Sequence, residues 1–140
     1  MTISDSQFMR IAKVISESSH AKRLKVGSVI VKDNRIISTG YNGTPPGLPN
    51  NCEDENGQTR PEVIHSESNA IFYAAKNGGS VANATMYCTT ACCVNCATAI
   101  IASGITSFKY EHDYRDDTGL YLLRAANVTV TKVKQNDTQL

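Results

Sequence analysis

The chain has 140 residues, with 14 Lys and Arg against 13 Asp and Glu, for a formal net charge of +1. This length holds one domain with a real core and is short for two. The near balance of charge argues against a nucleic-acid backbone as chief partner, and no apolar run is long enough to span a membrane. Met1 to Arg10 carries Asp5 and no apolar stretch, so no export signal is expected. The five Cys are odd in number and clustered late. Without an export signal, that favours metal binding over a disulfide framework, and a reducing, cytoplasmic setting.

Phe8, Ile11, Ala12 and Ile15 recur at helical spacing behind Ser4 or Asp5 as N-cap, which predicts a first helix reaching about Ser19. Val26 to Val31 is rich in β-branched residues, Ile36 to Thr39 is a second short apolar run, and the polar Lys32-Asp33-Asn34-Arg35 between them predicts a hairpin. Gly40 to Pro61 reads as one long loop, an uncommon feature in a small domain and often a functional one. The alanine-rich His65 to Lys76 is predicted helical and capped at Gly78-Gly79. Strands are then expected at Thr85 to Thr89, Thr106 to Tyr110 and Val128 to Val133. Helices are expected at Val94 to Ser103 and Leu120 to Ala126, with a polar, frayed tail from Gln135. The order predicts a single α/β domain over 1–140, three-layered α/β/α, with a mixed five-stranded sheet and helices on both faces.

The chemistry lies in a split signature, His65-Ser66-Glu67 and then Cys93-Val94-Asn95-Cys96, each opening a predicted helix. One imidazole and two thiolates suit zinc and leave a fourth position open, the arrangement of a catalytic zinc site because water can bind there. Both pairs sit at helix N-termini, where unpaired N–H groups and the helix dipole favour thiolate. Two helix starts facing each other across one zinc are therefore expected. Glu67 is placed to move protons beside that position and must not itself ligate the metal. A C-x-x-C pair alone is more often a structural zinc half-site or a redox pair; the upstream His-x-Glu decides against both. The signature of zinc-dependent nucleobase deaminases, H-x-E followed by P-C-x-x-C, fits with one departure, Cys92 in place of Pro. Only Cys93 completes C-x-x-C with Cys96, so Cys92 and Cys88 are expected to be packed thiols.

Ser38-Thr39-Gly40-Tyr41-Asn42-Gly43-Thr44-Pro45-Pro46-Gly47, followed by His65-Ser66-Glu67-Ser68-Asn69-Ala70-Ile71, closely resembles the deoxycytidylate (dCMP) deaminase family. The strand from Val26 to Val31, Ala84-Thr85-Met86-Tyr87 and Tyr114 match it too, so that the resemblance runs roughly from Phe8 to Val133. The Gly-Tyr-Asn-Gly loop separates this family from cytidine and tRNA-adenosine deaminases, which share only the zinc signature. The resemblance implies a cytidine-deaminase-like fold, one Zn2+ per subunit, and hydrolysis of dCMP to dUMP and ammonia, which feeds thymidylate synthesis.

Carried over by position, Asn42 would hydrogen-bond the deoxyribose or base, the alternative being a plain turn residue. Tyr114 would pack against the nucleotide, unless it is a core tyrosine. Ser66 stands beside Glu67 in the substrate site, where the family usually has Ala. Arg23 and Lys76 are implied for the phosphate; Lys22 and Lys25 compete with Arg23, and the alternative for Lys76 is a plain solvated lysine at a helix end. The family also implies a homo-hexamer activated by dCTP and inhibited by dTTP, with Mg2+ bridging the triphosphate. Asn42, Gly43, Thr44 and Gly47 would hold that second nucleotide at a subunit interface. Two other readings stay open. One is a deaminase of dCTP, cytidine or a base in RNA. The other is a zinc-stabilised module that senses deoxynucleoside triphosphates without turnover; Glu67 speaks against it, since a binder needs no proton shuttle.

Overall fold

A computed structural model describes residues 2–134; the expected frayed tail from Gln135 lies outside them. Four helices and five strands follow one another as α1 (Asp5–Ser16), β1 (Gly27–Lys32), β2 (Arg35–Tyr41), α2 (Ser66–Lys76), β3 (Thr85–Thr90), α3 (Val94–Ala102), β4 (Ser107–His112), α4 (Thr118–Ala125) and β5 (Thr129–Lys132). The order is the expected one. The strands lie as β2-β1-β3-β4-β5. β1 pairs antiparallel with β2 and β3, whereas β3, β4 and β5 run parallel.

Alternation along the strands divides the core in two. Val29 and Val31 of β1 and Tyr87 of β3 face α1, where Phe8, Met9 and Ala12 cover them. Ile30, Met86, Cys88 and Phe108 face the other way, under α2, α3 and α4. One helix thus covers one face and three cover the other.

Local chemistry explains the element ends. Ser4 caps α1 in a reciprocal box with Gln7. The helix stops at Ser16, short of the expected Ser19, where the Ser16 hydroxyl turns back to the Lys13 carbonyl. The hairpin turn is carried by Asp33 and Asn34, both at positive φ (54° and 60°), the conformation that matches strand twist in a two-residue turn. β2 runs past the expected Thr39 through Gly40 and Tyr41 because α2 lies directly on it. A Cβ on Gly40 would sit 2.5 Å from the Ser66 carbonyl oxygen and the Ala70 nitrogen. α4 starts at Thr118 rather than Leu120, since Asp116 Oδ1 accepts from both the Thr118 backbone N–H and its hydroxyl. The long loop is not structureless: isolated bridges pair Gly43 with Ile64 and Glu53 with Thr59. Among the described residues, no helix is long and apolar enough to cross a membrane.

Candidate active site

His65 is the N-cap of α2 and Cys93 the N-cap of α3, both with extended backbone and neither spending its side chain on capping. The imidazole and the thiol are therefore free to meet off the two helix ends, as the sequence predicts. His65 Nδ1 lies 3.4 Å from Cys93 Sγ and 3.3 Å from Cys96 Sγ. All three ligand atoms fall within 4.8 Å of one another. Zinc–nitrogen and zinc–sulfur bonds of ~2.0 and ~2.3 Å in a tetrahedron put nitrogen and sulfur about 3.5 Å apart, so the three groups fit zinc as they stand. Ser68 Oγ lies 4.0 Å from Cys96 Sγ, within reach of a weak hydrogen bond to the sulfur.

The sulfurs share charge unequally without metal. The Cys93 thiol is pulled down to about 4 by the hydrogen bond from Cys96 and then by His65. The same pairing, with burial, pushes Cys96 up. His65 is raised, chiefly by its bond to Cys93. Cys88 and Cys92 are the packed thiols expected, both fully buried; burial pushes Cys92 up to about 12.

Glu67 points off the first turn of α2 into a cavity of about 490 Å³ that His65 and Cys93 also line. It is 4% exposed. Burial raises its pKa, opposed only in part by the hydrogen bond from Ser66 and the nearby His65. The cavity opens at the carboxyl ends of the parallel strands β3 and β4, where ligands bind in open α/β sheets. Leu24, Val26 and Val63 give it apolar walls, and Arg23, Glu53 and Arg115 add charge.

The fold brings Asn42, Arg23, Ser66 and Tyr114 to this cavity. Asn42 arrives with its amide engaged: Oδ1 accepts from the Val26 N–H at 2.8 Å and Nδ2 donates to the Leu24 carbonyl at 2.9 Å. The Ser66 hydroxyl is turned to protein partners, Glu67 and Ser28. Lys76 is not brought in. It is the last residue of α2, about 15 Å along the axis from Ser66. Lys22 and Lys25 do not line the cavity, nor do Gly43, Thr44 and Gly47. Gly43 bridges to Ile64, and the Thr44 hydroxyl donates to the Pro49 carbonyl.

Three residues escaped the sequence reading. The Arg115 guanidinium lies 5.4 Å from the Tyr114 ring centroid at the cavity wall. Its signal was available, an Arg just beyond a strand whose carboxyl end faces the site. Glu53 Oε2 accepts from the backbone N–H groups of Lys22 and Arg23, at 3.0 and 3.3 Å. Ser28 reaches the site only by a long-range contact from β1 to Ser66 of α2, which no local pattern reveals.

A metal seat at one end of a cavity, with a buried carboxyl group of raised pKa beside it, is equipment for hydrolysis, and the class it defines is a zinc-dependent deaminase. A family model of the cytidine and deoxycytidylate deaminase zinc-binding region matches residues 2–112. The chain belongs to that family. Deoxycytidylate deaminase of Saccharomyces cerevisiae is 35% identical over 90% of this chain, which spans 43% of the yeast protein. Deoxycytidylate deaminase of Enterobacteria phage T4 is 34% identical, over 94% of this chain and 91% of its own length. The crystal structure of dCMP deaminase from cyanophage S-TIM5 in complex with dCMP and dUMP matches with a TM-score of 0.88 and 37% identity, covering 90% of this chain and 93% of that one.

Proposed function

We propose that the protein hydrolyses dCMP to dUMP and ammonia in the cytoplasm, supplying dUMP for thymidylate synthesis. The observation that carries this is Glu67, buried and lining the cavity beside a ready-made His65, Cys93 and Cys96 seat. The relatives named above, two of them deoxycytidylate deaminases of this length range, support the choice of substrate.

Zinc held by His65 Nδ1 and the two sulfurs would supply an activated water. The chain's own part is proton traffic and orientation. Attack at C4 of the cytosine ring frees a proton from the water; Glu67 takes it and delivers it to N3. The hydroxyl proton then passes through Glu67 to the amine, which leaves as ammonia, and the carboxylate is restored. A raised pKa suits a group that must both hold and release a proton in one turnover. Leu24, Val26 and Val63 would exclude water around the ring. Tyr114 packs beside the nucleotide, and Asn42 shapes the 24–26 segment against which it lies. Arg23, joined by Arg115, is placed for the phosphate, which guanidinium groups bind in bidentate fashion.

The second nucleotide belongs to this reading as well. dCTP would activate and dTTP inhibit, each with Mg2+, at the Asn42, Gly43, Thr44 and Gly47 loop of a homo-hexamer. In support of an oligomer, Phe72 and Tyr73 of α2 stand more than half exposed, large apolar side chains that a second copy would cover. The test is ammonia release from dCMP by zinc-loaded protein, alone and with dCTP or dTTP plus Mg2+. Turnover raised by dCTP and lowered by dTTP is expected. Turnover blind to both removes the second site, and none at all with dCMP removes the substrate assignment.

A further inference from the structure

We infer that Ser66 is a positioning residue for Glu67, and that Ser28, on the central strand β1, sets Ser66 in turn. The inference rests on Glu67 being the proton carrier. Ser28 and Ser66 are both completely buried. The Ser66 hydroxyl donates to Glu67 Oε1 at 2.8 Å, and Ser66 Oγ lies 2.7 Å from Ser28 Oγ. A serine hydroxyl has one proton to give and two lone pairs to accept with. With the Ser66 proton spent on Glu67, the short contact to Ser28 is made by the Ser28 proton. The chain thus has one direction, Ser28 to Ser66 to Glu67.

This chain ties a long, rotatable side chain to a rigid element. β1 has β2 on one side and β3 on the other, so Ser28 moves little. Glu67 has no cation to hold it, no salt bridge being made by it among the described residues. Untethered, its carboxylate would be free to swing toward the three ligand atoms and take the fourth position, where it would displace the water it must serve. Pinning Oε1 on the sheet side leaves the other oxygen for the cavity. Cys88 Sγ closes the far side, 3.7 Å from Ser66 Oγ, and excludes water that could compete for the same hydrogen bonds.

A positioning role predicts a particular kinetic pattern. Ser66→Ala should lower kcat for dCMP about tenfold, the cost of losing an outer support of a reacting group, with KM and zinc content unchanged. Ser28→Ala should lower kcat by a smaller factor with the same KM, and it tests the chain from outside α2 should Ser66→Ala not fold. The double variant should be no slower than Ser66→Ala, because Ser28 acts only through Ser66. Wild-type kcat in Ser66→Ala overturns the inference, as does a change confined to KM or to zinc content, or two losses that multiply. Glu67→Gln, assayed alongside, separates the two ideas: activity in that variant defeats the proton-carrier reading itself, whereas an inactive Glu67→Gln beside a full-speed Ser66→Ala defeats only the positioning role.

Discussion

Asp5 and Glu67 are both carboxylates in the first turn of a helix packed on the sheet, one on each face, and they end in opposite states. Asp5, at the start of α1, keeps 46% of its side chain in solvent and pairs with Lys109 Nζ at 2.9 Å while the Tyr87 hydroxyl donates to it. Its partial burial pushes its pKa up, but the hydrogen bonds from Tyr87 and Lys109 and the lysine charge together take it below the ordinary carboxylate value. Glu67 is deep, has a hydroxyl where Asp5 has an ammonium, and is held above it. The same group becomes an ion-paired strut or a buried carboxyl group of raised pKa according to its partner and its water. The α1 face stabilises; the other face keeps a carboxyl group poised.

The largest effect should come from Glu67→Gln, which keeps the shape and removes the carrier. Turnover should fall by about 10³-fold while zinc measured by metal analysis stays at one per chain. Next come two glycines that mark the two faces. A Cβ on Gly27 would lie 2.0 Å from the Ala12 carbonyl oxygen of α1, and one on Gly40 2.5 Å from that of Ser66 in α2. Each Gly→Ala change should cost about 3 kcal/mol in urea unfolding, since backbone must move. The faces should then differ: folded Gly27→Ala keeps its kcat, and Gly40→Ala loses much of it because α2 carries Glu67. Equal kcat losses would erase the distinction between the faces.

The smallest effect belongs to Asp5→Asn. Because the folded pKa lies below the ordinary 3.8, the stabilisation is full above that value and is lost as pH falls through the lower folded value. Asp5→Asn should therefore be about 1 kcal/mol less stable than wild type at pH 7, discounted for exposure. It should approach wild type as the pH falls below that lowered value and the wild-type carboxylate protonates. A gap that stays constant with pH would show that packing, not charge, makes the strut.

What could be read from the sequence was what is local. His65, Cys93 and Cys96 announce themselves because ligation depends on where two helices start, and helix starts are written in a few residues; Glu67 is legible because it shares the first of those starts. The element order was legible for the same reason, with errors only at ends that tertiary contacts move, such as β2 continuing through Gly40 under α2. Lys76, carried over from the resemblance with a solvated helix-end lysine as its alternative, lies at the far end of α2, outside the cavity lining. Asn42, read as a nucleotide contact or a turn residue, also ties down the 24–26 segment, its Oδ1 accepting from the Val26 N–H and its Nδ2 donating to the Leu24 carbonyl, contacts that no local pattern shows. Ser66 could be seen only as a substitution beside a reacting group. Its meaning depends on Ser28, and the register of β1 against α2 is long-range.

The carboxylate of Glu53, by gripping the backbone of Lys22 and Arg23 from the long loop, makes one wall of two stretches distant in the chain. Zinc and proton chemistry sit on the helix starts, behind that wall. Sequence drift in the loop would therefore be felt first as a change in how Arg23 is held at the cavity wall, the residue to which the proposed function gives the phosphate.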